Sequence, residues 1–150
     1  MLGRDTSRKG LWLLIAASVF AGTCCHVSLD AFRKSSLSSQ IAQYEEAIAG
    51  QCITNDKMTL LEIIASHGCE AGDTMTDLLK QPNPNFPLQD VMTVLTFVHS
   101  GGCDLRHHAA MTALRRLSET AADPAIRASA QNTVAAISRY DPTTRKSSHP

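Results

Sequence analysis

The residues best equipped for chemistry cluster between His99 and His108. His99, Cys103, His107 and His108, with His67 and Cys69 upstream, offer the imidazole and thiolate groups that zinc takes as ligands. Gly101 and Gly102 break any helix between His99 and Cys103, so a helical ligand spacing does not follow. The competing reading is of surface histidines beside a structural cysteine. Oxidation decides between them, because a disulfide-bonded Cys103 is no longer a thiolate. In an oxidising compartment, two of Cys52, Cys69 and Cys103 are expected to pair. Cys24 and Cys25 are lipidation candidates, since they close an apolar N-terminal run at the place where bacterial lipoproteins are cut and acylated.

Catalytic groupings are missing. Ser100 adjoins His99 and Asp104 is close, but sequence neighbours rarely form a triad, and no G-x-S-x-G occurs. Glu45 and Glu46 are adjacent on a helical pattern and therefore point in different directions. There is no glycine-rich phosphate loop. The expectation is a protein that is not an enzyme and uses no cofactor. A metal site at His99, Cys103, His107 and His108 is kept as the alternative.

Charge is unevenly spread although the formal net charge is zero. Residues 1–44 carry five bases and two acids, residues 45–104 two bases and nine acids, and residues 105–150 seven bases and three acids. Arg106, Arg115, Arg116 and Arg127 in the last portion are candidates for a basic surface. No aromatic residues interleave them, which argues against a nucleic-acid partner. Such a surface suits a protein partner or anionic lipid, and a dipolar charge distribution would orient the encounter.

The elements that must position these residues start at the N-terminus. Arg4, Arg8 and Lys9 precede an uncharged run, Leu11 to Gly22, the basic-then-apolar order of a secretory signal. Extended to Leu29 the run reaches 19 residues, close to the ~20 that span a bilayer. Residues 1–29 are thus expected to be a cleaved signal peptide, a retained anchor inserted through residues 11–29, or a lipidated leader. The body is expected outside the cytoplasm, either membrane-anchored or secreted or periplasmic after cleavage.

Beyond a linker at 30–36, apolar spacing is helical throughout 37–140. Leu37, Ile41, Tyr44 and Ile48 share one face, with Ser36 to cap and Gly50 to stop. Met58, Leu61, Ile64 and Ala65 form a second face ending at Gly68. A third helix is expected from Asp73 through Met75, Leu78 and Leu79. The prolines of Gln81–Pro87 break the chain and favour an extended connection. Leu88, Val91, Met92, Leu95 and Val98 mark the next helix. Ala110, Ala113, Leu114 and Leu117 mark another, with Asp104 as its expected cap. Asp123-Pro124 opens the last, which carries Ile126, Ala130, Val134 and Ile137. Residues 141–150 are expected to be a disordered tail. The fold class is therefore all-α: an N-terminal hydrophobic helix, then five or six short antiparallel helices, as a helical repeat or small bundle.

The run Asp123, Pro124, Ile126, Arg127, Ala130, Val134 and Ile137 resembles the second helix of a HEAT-type repeat, mainly over residues 123–137. Ala110, Leu114 and Leu117 repeat the last three of those positions one helix earlier. Thr59, Leu60, Leu61 and Gly68 resemble the first helix of an ankyrin repeat. Both resemblances imply stacked helical hairpins whose usual work is holding other proteins. The functional expectation is a membrane-tethered or exported helical adaptor for another protein, within an envelope or secretion assembly.

Overall fold

Helical spacing of apolar residues, broken by Gly, Pro and capping side chains, yields short helices that need one another to bury their faces. The computed structural model describes residues 27–51 and 56–141. Among these residues are seven helices and no strand: α1 Leu29–Lys34, α2 Leu37–Ala49, α3 Lys57–Ala65, α4 Cys69–Lys80, α5 Leu88–Ser100, α6 Ala109–Thr120 and α7 Pro124–Arg139. The apolar run before Val27, with Cys24 and Cys25, lies outside the described residues, as do Cys52 and residues 142–150. No helix among the described residues is long and apolar enough to cross a membrane.

Two hairpins stack on each other. α4 packs beside α5 and α6 beside α7, while α4 also packs on α6 and α5 on α7. Only residues 121–123 join α6 to α7, so the chain must reverse for the two to lie side by side. α3 adds to the α5 side, and α1 and α2 close over α3. α5 sits at the centre. It buries Val91, Met92, Val94, Leu95 and Val98, together with the polar Asp90 and His99. Fully burying one such aliphatic side chain is worth roughly 1.5–3 kcal/mol, so α5 anchors the fold.

Local capping follows the residues in two places. The Ser36 hydroxyl accepts from the Ser39 amide at 3.4 Å, and the Asp123 carboxylate accepts from the Ala125 amide at 2.8 Å with Pro124 in the first turn. Elsewhere long-range packing moves the boundaries. The expected linker at 30–36 contains α1, which packs on α2 and α3 with Phe32 completely buried. α4 starts at Cys69, not Asp73: Gly68 adopts φ +62°, a left-handed turn that lets α3 and α4 join through three residues. On α3 the buried set is Leu60, Leu61, Ile63, Ile64 and Ala65, while Met58 is exposed. The proline segment is a tight turn and not an extended strap. The Phe86 amide donates to the Asn83 carbonyl at 3.0 Å, driving Phe86 inward against Tyr44, with ring centroids 4.7 Å apart.

Candidate protein-binding groove

Of the side chains that looked suited to metal, all but His107 are engaged otherwise. Cys103, buried, is disulfide-bonded to Cys69, exposed, with Cα atoms 5.3 Å apart. His99 is only 2% exposed. Its Nδ1 accepts from the Leu105 amide at 3.2 Å, which leaves the proton on Nε2 to donate to the Tyr140 carbonyl at 2.9 Å. His108 caps α6: its Nδ1 accepts from the Ala110 amide at 3.1 Å, and Nε2 donates to Asp73 at 3.0 Å. His67 Nε2 meets the Gln40 side-chain oxygen at 3.2 Å, and His107 is exposed. The candidate set His99, Cys103, His107 and His108 is therefore not brought together as ligands. Among the described residues no three His, Cys, Asp or Glu side chains are placed to hold a metal ion.

These contacts fasten the connection between α5 and α6, residues 101–108. Asp104 does not cap α6 as its position suggested. It turns back to Arg106, whose Nε donates to Oδ1 at 2.9 Å and whose second terminal nitrogen donates to Oδ2 at 2.7 Å. Arg106 also reaches Asp141 at 3.2 Å, beyond the end of α7. The Arg106 side-chain hydrogen bonds hold the Asp104 carboxyl well below the usual carboxylate range. Arg127 likewise turns inward, donating to the carbonyls of Ala121 and Ala122 in the turn before α7. Of the four candidate basic-surface residues, Arg106 and Arg127 thus serve the fold. Arg115 and Arg116 remain on the exposed surface of α6.

One polar cluster has no clear counterpart in the sequence patterns. The Tyr44 hydroxyl donates to Asp90 Oδ2 at 2.8 Å, and Lys57 Nζ reaches Asp90 Oδ1 at 2.8 Å. Tyr44 is fully buried and Asp90 nearly so. Burial, then the hydrogen bond to Asp90, push the Tyr44 phenol far above its ordinary value. With both carboxylate oxygens engaged, Asp90 acts as a bracket between α2, α3 and α5 and not as a free base. A lone acid on an otherwise apolar helix face is the signal that points to it.

Among the described residues a groove lies between α4 and α6. Ala110, Met111 and Leu114 of α6 face the core. A second stripe of the same helix, Ala109, Thr112, Ala113, Arg116, Leu117 and Thr120, lines a groove of about 590 Å³. Leu79, Lys80 and Pro82 form the opposite wall. The stripe's spacing of i, i+3, i+4, i+7, i+8 and i+11 is that of a continuous helical face. Its residues are mostly small, so α6 leaves a trough along its length. Charge in the groove has one sign, Lys80 and Arg116, with no acid among the lining residues. A smaller depression between α5 and α7, about 270 Å³, is lined by uncharged polar residues including Gln89, Thr93 and Asn132. No family model, no curated protein and no solved structure matches this chain.

Proposed function

We propose that this chain is an exported or membrane-tethered helical adaptor, without catalytic activity, that holds another protein in the groove between α4 and α6. The observation that carries the reading is the groove itself: a helical face of small, partly apolar residues that the other described residues leave uncovered. Stacking of α4/α5 on α6/α7 suits a helical-repeat scaffold of the kind that residues 123–137 resemble. The Cys69–Cys103 bond suits an oxidising compartment, and the basic-flanked apolar run from Leu11 suits delivery there. An envelope or secretion assembly is a fitting place for such an adaptor.

The test is site-specific photo-crosslinking of the full chain in its native cells. A photoreactive residue at Thr112, inside the groove, is expected to capture one defined protein. The same residue at Asn132, in the depression between α5 and α7, is expected to capture none. Equal capture from both positions, or none from Thr112, would overturn the assignment of the groove. Intact mass of the mature chain, with protease accessibility of the body in whole cells, checks the export half of the proposal: a cleaved, acylated or retained N-terminus with the body outside the cytoplasm is expected, and a retained N-terminus with the body in the cytoplasm refutes it.

A further inference from the structure

We infer that the occupant of the α4–α6 groove is an acidic amphipathic helix of the partner protein. This rests on the adaptor reading and adds the chemistry of what is held. Shape comes first. Ala109, Thr112 and Ala113 are small enough to let a second helix approach α6 closely, whereas long side chains there would hold it off. α6 has 12 residues, a length of about 18 Å at 1.5 Å per residue, enough to seat three turns of a partner helix. Half-buried Leu117 and exposed Pro82 offer apolar contact to anchors spaced i, i+3 or i+4, and i+7 on that helix.

Charge then selects the partner. Lys80 and Arg116 stand on opposite walls, so an occupant with carboxylates along both edges of its apolar face is met twice. Lys80 reaches Asp77 at 3.1 Å, but both groups are largely exposed, and such a pair is weak enough to exchange for a partner's carboxylate. The chain's own remaining segments do not supply these acids. Residues 1–26 carry Arg4, Arg8 and Lys9 against Asp5, and residues 142–150 carry Arg145 and Lys146 with no acid.

The test uses the full-length chain and three probes: a helical peptide with leucines at i, i+3 and i+7 flanked by glutamates, the same peptide with lysines replacing glutamates, and phosphatidylglycerol vesicles. Fluorescence anisotropy is expected to show the glutamate peptide binding about tenfold tighter than its lysine counterpart, the scale of two exposed charge pairs reversed in sign. The difference should shrink as salt rises. Arg116→Glu is expected to abolish the preference, because Lys80 still favours glutamate while the new acid favours lysine, and Ala113→Trp to block both peptides while circular dichroism stays unchanged. Equal binding of the two peptides, indifference to Ala113→Trp, or displacement of the glutamate peptide by the vesicles each overturns the inference. If Thr112 still captures a protein in cells while the glutamate peptide is refused, the acidic helix is wrong and the adaptor stands. If both fail, both readings fall.

Discussion

Breaking the Cys69–Cys103 bond is expected to lower the stability of the helical body by about 4 kcal/mol. The two residues are 34 positions apart. Closing a loop of that length removes roughly 12–13 cal/mol/K of entropy from the unfolded chain, which is about 4 kcal/mol at 25 °C. The folded state should survive the break, because independent contacts hold the same connection. The Cys103 amide donates to the Val98 carbonyl at 3.2 Å, the Leu105 amide to His99, and Arg106 to Asp104. The loss therefore falls on the unfolded state. Against a total of roughly 5–15 kcal/mol for a domain, it is a large share. At about 2.1 cal/mol/K per residue over roughly 110 residues, the midpoint of thermal unfolding should drop by about 16 °C. The assay is urea and thermal unfolding followed by circular dichroism, with and without a thiol reductant. Cys69→Ala combined with Cys103→Ala serves as the control in which reductant has no further effect. Coincident curves for the oxidised and reduced natural chain would refute the reasoning. Loss of helix on reduction without denaturant would show instead that the bond holds the native packing.

The remaining predictions concern the core and the connections. Tyr44→Phe strips one hydrogen bond from the buried Asp90 carboxylate and should cost about 1–3 kcal/mol in urea unfolding; a change near zero would mean water replaces the hydroxyl. Because burial and Asp90 raise the Tyr44 phenol, its contribution is fully present below the unfolded tyrosine value of about 10 and is lost as pH rises above it. Tyr44 phenolate absorbance should therefore appear only together with unfolding, and a reversible rise while helix content is intact would contradict its burial. Leu95→Ala, at a fully buried site on α5, should cost about 2–5 kcal/mol, whereas Thr112→Ala in the groove should stay within about 0.5 kcal/mol. Asp104 has its carboxyl lowered by Arg106, so its stabilising effect is present above the ordinary carboxylate value and lost as pH falls below it. Carboxyl NMR should find it titrating normally in Arg106→Gln, and an unchanged titration would remove Arg106 as the cause.

By itself the sequence determines the all-helical class and much of the punctuation. Apolar spacing, Ser36, Asp123-Pro124 and the breaker at Gln81–Pro87 act within one or two turns of chain, so they are readable locally. The sequence also limits the body's disulfide candidates to three cysteines. Tertiary structure alone selects Cys69 and Cys103 from that set, since the stacking of α4 against α5 brings their backbones within reach. The same packing turns His99 and His108 from prospective ligands into hydrogen-bonding struts, because their partners lie 6 residues away at Leu105, 41 at Tyr140 and 35 at Asp73. It also fixes the Tyr44–Asp90–Lys57 bracket across three helices, and it buries Phe32 in what reads as a linker. The groove is the clearest case. The small residues of α6 are ordinary helix formers until α4 stands beside them, and only that juxtaposition makes a trough with two cations at its edges.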